Sequence, residues 1–248
     1  MNWWLAPFIY NNNTLNCKLY GFKVSFHNKL VLLQIIMEPW FGQNPPSWVL
    51  TTKKDIISFL KKNRYPKYRI LPDLMVDVMG NLMFNDNIPI KLRFVRGQFS
   101  IGGSITNLDN CPIYINGNFY VNFTSIKTLK GGPKIVTNLY DCSNNKNLYL
   151  LSGAPYKVRK FLCQNCNLET LRGSPKIVKG EFNCSHNRLV SLKYGPNKVK
   201  SYNCMLNPKL KLDGFKTEIE TYFKVDNYLK DSFEFKKFLL KKQIKDMV

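Results

Sequence analysis

Residues 182–199 read FNCSHNRLVSLKYGPNKV. Phe182 stands two residues before Cys184, and Asn187 follows that cysteine by three. Leu189 and Leu192 then lead through Gly195 and Pro196 to Val199. The wording recurs on both sides: LYDCSNNKNLYLLSGAPYKV at 139–158, FLCQNCNLETLRGSPKIV at 161–178 and SYNCMLNPKLKLDGF at 201–215. Cys142, Cys163, Cys184 and Cys204 are therefore 21, 21 and 20 residues apart. Pro112, Pro133, Pro155, Pro175 and Pro196 keep the same beat, as do Leu108, Leu129, Leu150, Leu171 and Leu192. A period near 20 over five or six units marks a stacked-repeat architecture, in which each unit buries its apolar face against its neighbours.

The register assigns a job to each position. Alternate side chains of a strand share one face, so Phe182 and Cys184 are expected inward, with Asn183 and Ser185 outward. Tyr140, Phe161 and Tyr202 share the place of Phe182 and are expected in the core. Rungs about 4.8 Å apart turn every inward position into a ladder, one of which is Ile101, Val121, Cys142, Cys163, Cys184 and Cys204. Cysteine serves there as a small, readily buried hydrophobe. The place three residues on carries Asn145, Cys166, Asn187 and Asn207, where an amide satisfies backbone groups at a turn. Cys163 and Cys166 form a C-x-x-C, a spacing that elsewhere signals zinc or a redox dithiol. Here they separate into a core position and a turn position. Zinc would need two more ligands nearby, and His186 reads as an exposed turn residue. Each pair Pro133/Val136, Pro155/Val158, Pro175/Val178 and Pro196/Val199 marks a return leg: Pro fixes φ and the apolar residue re-enters the core. Gly131, Gly153 and Gly173, two before a proline, permit tight corners; Gly195 stands one before.

The unit aromatic-x-Cys-x-x-Asn/Cys-x-Leu-x-x-Leu-x-Gly-x-Pro-x-x-Val resembles the leucine-rich repeat. More narrowly it resembles the short form common in phage and bacterial proteins, of which CSHNRLVSLKYGP at 184–196 is a close statement. The resemblance implies an α+β fold, a leucine-rich-repeat solenoid of short parallel strands with irregular return legs over residues 76–215. Residues 89–112 fit more loosely, and the rung around Asn147 carries an extra residue before Pro155.

Residues 1–75 form an aromatic-rich region with Trp3, Trp4, Trp40 and Trp48. GFKVSFHNKLVLLQIIM (21–37) suggests one or two strands. TTKKDIISFLKKN (51–63) reads as a short helix with Thr52 as its N-cap, suited to covering the open edge of the coil. Residues 216–248 read as a basic tail. Its helical pattern sets Phe235, Phe238 and Leu239 against Lys236, Lys237, Lys241 and Lys245, and it is expected to cap the last rung.

Charge points to a partner. The chain has 37 Lys+Arg against 16 Asp+Glu, a net +21, which favours a polyanion. Lys134, Lys157, Arg159, Lys160, Lys176, Lys179, Lys198 and Lys200 recur beside the return legs, a ridge suited to following RNA phosphates. Lys61, Lys62, Arg64, Lys236, Lys237 and Lys241 extend the expected RNA-binding set. Tyr156 and Tyr194 are freer and suited to stacking on bases. An enzyme is not indicated. With only His27 and His186, there is no nucleophile–His pairing, phosphate loop or paired-carboxylate constellation. Cys17 and Cys111 lie in no recognisable catalytic setting. No metal, cofactor or small-molecule substrate is expected, and the seven cysteines read as reduced thiols.

Asn, Lys, Ile, Phe and Tyr are heavily used and Ala6 and Ala154 are the only alanines, an A+T-rich codon accent. LVLLQIIM (30–37) is too short to cross a bilayer, which takes roughly 20 apolar residues. The N-terminus shows neither a cationic n-region nor an Arg-rich transit character. The combined expectation is a structural, RNA-associated component of an organelle-encoded mitochondrial ribosomal subunit, contacting rRNA and neighbouring proteins without membrane contact. The alternatives are a phage-type protein-binding module in a bacterial or infected-host cytoplasm, and an accessory subunit of a mitochondrial membrane complex.

Overall fold

The computed structural model describes residues 9–11, 14–19, 22–26, 47–65, 67–212 and 215–230. The chain forms two compact units, Met1–Ser47 and Trp48–Val248. In the first, strands Ile9–Asn11, Thr14–Leu19 and Phe22–Phe26 pair antiparallel in that order. The apolar run 30–37 lies outside the described residues.

The second unit is a parallel-stranded β-solenoid of about seven turns. The strands of the repeated unit are Leu82–Phe84, Phe99–Ile101, Phe119–Tyr120, Leu139–Asp141, Lys160–Leu162, Ile177–Asn183, Lys198–Asn203 and Glu218–Lys224. They pair in chain order, each parallel to the next. The return legs, expected to be irregular, are strands too. Val76–Met79, Leu92–Arg96, Tyr114–Asn116 and Ile135–Val136 build a second parallel sheet, edged by the antiparallel strand Tyr68–Ile70. From Ile177 onward, leg and unit strand merge into one strand with a register shift at the corner. The cause is backbone satisfaction: each leg lies beside an identical leg, whose N–H and C=O groups complete its own.

Three ladders fill the coil. Phe99, Phe119, Tyr140, Phe161, Phe182, Tyr202 and Phe223 stack with ring centroids between 4.8 and 5.8 Å apart. Each such contact is worth about 0.5–1.5 kcal/mol beyond the area it buries. Cys142, Cys163, Cys184 and Cys204 are wholly buried beside them, with Ile101 and Val121 upstream. The leucine ladder departs from the expected register at one rung. Leu151, not Leu150, is the buried member, because the extra residue shifts the pattern by one. Ser185 is buried rather than outward: the chain turns at His186 (φ 54°) and the hydroxyl folds back to donate to Asn183 Oδ1 at 2.8 Å.

The turn ladder knits adjacent rungs. Nδ2 of Asn187 donates to Cys163 O and Cys184 O, while its Oδ1 accepts from the N–H groups of Cys166 and Leu168. Asn145, two rungs before, and Asn207, one rung after, repeat the pattern. Cys166 substitutes a thiol that donates to Cys142 O at 3.4 Å, the carbonyl that an amide there would reach.

At the N-terminal end, the helix Lys53–Lys62 is capped by Thr52, whose side chain accepts from Asp55 N. Its Ile56 and Leu60 join the same apolar core, and Phe59 stacks on Phe84 of the first rung at 6.4 Å. Asp77, fully buried, is held by Arg69 at 2.8 Å and Arg93 at 2.6 Å. At the other end a single helical turn, Asn227–Lys230, buries Leu229. The tail, including Lys236, Lys237 and Lys241, lies outside the described residues.

Candidate polyanion-binding site

The candidate site forms where each return leg bends into its unit strand. Val158, Val178, Val199 and Ile219 are buried, so the residues after them turn outward: Arg159, Lys179, Lys200 and Glu220, all exposed. One residue separates Val199 from Ser201, but two, Lys179 and Gly180, separate Val178 from Glu181, and the register shifts there. Gly180 N donates to Arg159 O at 2.7 Å, and a Cβ on Gly180 would sit 2.9 Å from that oxygen. Glycine thus permits this close approach between rungs. The result is a depression of about 450 Å³ lined by Arg159, Lys160, Lys179, Gly180, Glu181, Lys200 and Ser201. Four cations face one carboxylate. Arg159 is oriented by its hydrogen bond to Asn138 Oδ1 at 2.9 Å. Neighbouring rungs about 4.8 Å apart hold these charges close enough to act on one anionic chain.

The remaining expected contacts are distributed differently. Lys134 and Lys157 are exposed on their return legs, and Lys176 is half-buried. Lys198 is ion-paired with Glu218 at 3.5 Å and Glu220 at 3.3 Å. The Glu220 hydrogen bond, with Glu218 beside it, pushes its ammonium pKa up. Glu218 and Glu220 of the last rung therefore neutralise Lys198 at that end of the basic strip. Lys61, Lys62 and Arg64 are exposed but belong to the opposite end of the coil. Four strand spacings separate Leu82–Phe84 from Lys160–Leu162, or about 19 Å. The role of Gly180 was visible only as a count, since valine to aromatic takes three steps in VRKF (158–161) and four in VKGEF (178–182).

The thiols take no part in this chemistry. Burial pushes the pKa values of Cys142, Cys163 and Cys204 well up, and that of Cys166 up to about 11. At neutral pH they stay protonated, and a thiol is a poor nucleophile and metal ligand. Among the described residues, no three His, Cys, Asp or Glu side chains converge as a metal site. No helix among them is long and apolar enough to cross a membrane. Searches with the sequence and the structure match no family model, no curated protein and no solved structure.

Proposed function

We propose that this chain is a structural RNA-associated protein that grips phosphates through the Arg159–Lys160–Lys179–Lys200 depression. The observation that carries the reading is four cations gathered around a glycine-opened corner with a single carboxylate, on a chain of net charge +21. Phosphate contacts of this kind supply affinity and position, not sequence recognition. We further propose that the coil is of the leucine-rich-repeat type. The turn asparagines that bridge successive rungs and the leucine positions support that kinship. A ribosome encoded in an A+T-rich organelle is the particle proposed, on the codon accent of the composition.

Binding of a structured RNA should weaken steeply as salt rises. Replacing Arg159, Lys179 and Lys200 together by Glu should lower affinity by at least a hundredfold in a filter-binding or anisotropy assay. Binding that is insensitive to both salt and these changes would remove the proposal. A second reading, a protein-binding module, draws on Phe123 and Met83, which are 76% and 60% exposed. Nuclease treatment before a pull-down separates the two: a partner retained afterwards favours protein, a partner lost favours RNA.

A further inference from the structure

We infer that Arg172, Tyr194 and Lys193 form a second phosphate-binding site, at the opposite end of the return leg from the first. The backbone supplies the initial observation. Gly131, Gly153 and Gly173 hold the corner before the proline with φ of 83°, 106° and 89°, and in the next turn Tyr194 adopts φ 70°. A bulky side chain is disfavoured in that region, and strained positions of this kind gather at functional sites. The conformation is held by Ser174 Oγ of the preceding rung, which donates to Tyr194 O at 2.8 Å, and by the turn itself, in which Gly195 N donates to Leu192 O at 3.1 Å.

The side chain that replaces glycine is exposed and has two cations beside its ring. The Arg172 guanidinium carbon and the Lys193 ammonium each lie 5.2 Å from the ring centroid. The two charges are therefore held within about twice that distance of each other. Among the described residues no carboxylate pairs with either one. Hydrogen bonding from Arg172, with the charge of Lys193, holds the phenol below its usual pKa. Two unneutralised cations beside one exposed aromatic ring suit a ligand with several anionic oxygens, and Arg offers a planar fork for phosphate.

The inference rests on the RNA reading for the source of the phosphate. Tyr194 and Lys200 stand at the two ends of one return leg, at most about 20 Å apart along six extended residues. A nucleic-acid backbone touching both loci would run across the coil, from corner to corner, and not along its edge.

The test uses the full chain with Arg172→Gln/Lys193→Gln, Lys179→Gln/Lys200→Gln and Tyr194→Gly, each titrated with a structured RNA over a range of salt. Inorganic phosphate is titrated separately while the tyrosine ring signals are followed by NMR. The Arg172/Lys193 pair should lower the salt slope by about two and weaken binding roughly tenfold. Tyr194→Gly, which relieves the φ, should hold or raise the melting temperature while weakening RNA binding. An unchanged slope in the Arg172/Lys193 and Tyr194 variants, with a lowered slope in the Lys179/Lys200 variant, overturns this site and leaves the first one standing. No RNA binding by the parent protein, with Tyr194 signals that shift on phosphate and stay still in the Arg172/Lys193 variant, upholds the site and rejects RNA as its source. Neither response overturns both.

Discussion

Asn187 shows how much one side chain can carry in a stacked coil. Its amide serves three carbonyls and two N–H groups drawn from successive turns, all in the interior. Each buried group left without a partner costs about 1–3 kcal/mol. Asn187→Ala should therefore lower stability by roughly 3–5 kcal/mol in urea denaturation, while an exposed neighbour such as Arg188→Ala should change it little. Equal effects at both positions would contradict the bridging role. The sequence announced the Asn/Cys position through its period, and the hydrogen bonds follow from it. The repeat register put Tyr194 in the place of Gly131, Gly153 and Gly173, but it did not announce the φ, because the chain could equally have reshaped the corner around Gly195.

At the scale of a rung, the aromatic ladder and the residue before proline are matched. Cys111, Ala154 and Ser174 precede prolines in turns whose ladder residue is Phe119, Phe161 or Phe182, and Gly132 and Gly195 precede them where it is Tyr140 or Tyr202. A Cβ on Gly132 would lie 3.0 Å from the Tyr140 hydroxyl, and one on Gly195 would lie 2.9 Å from that of Tyr202. The phenol occupies the space that a side chain takes elsewhere. Gly132→Ala alone should destabilise by about 1–3 kcal/mol through overpacking. In a Tyr140→Phe background the same change should cost clearly less, since the hydroxyl contact is gone and that hydroxyl has no hydrogen-bond partner to lose, while the approaches to Leu129 O at 3.0 Å and Leu108 Cδ1 at 3.1 Å remain. A double-mutant cycle reads this coupling directly, and additive effects would refute it. The strands of the return legs escaped sequence reading for a different reason. Ile135–Val136 and Lys157–Val158 are two residues long, too short to show alternation, and their pairing partners lie a full turn away. The exchange of Leu150 for Leu151 likewise follows from a single inserted residue, which a period alone does not place.

For the molecule as a whole, the buried thiols set a pH limit. An exposed thiol ionises near 9.0, whereas burial holds Cys166 at about 11 and Cys142, Cys163 and Cys204 well above the ordinary value. Their contribution is complete below the unfolded pKa and is lost as pH rises through the folded one, because only the unfolded chain releases these protons in between. Stability should be level up to about pH 8 and fall between about 9 and 11, by roughly 2–3 kcal/mol for Cys166 alone. Denaturation at pH 7, 9 and 10.5 measures it, and a level profile would contradict the burial of the ladder. The balance of charge was also legible only in part. The basic corner follows from spacing, but the ion pairs of Lys198 with Glu218 and Glu220 join residues 20 and 22 positions apart, and only the stacked turns bring them together.

The pairing of each strand with the next has a kinetic consequence. Register partners such as Phe161 and Phe182, or Phe182 and Tyr202, are separated by a single turn of chain. Contacts between strands thus span a short fraction of the chain length, and a low relative contact order favours fast folding. A nascent chain emerging from the exit tunnel can dock each completed turn on the one before it, so folding can keep pace with synthesis.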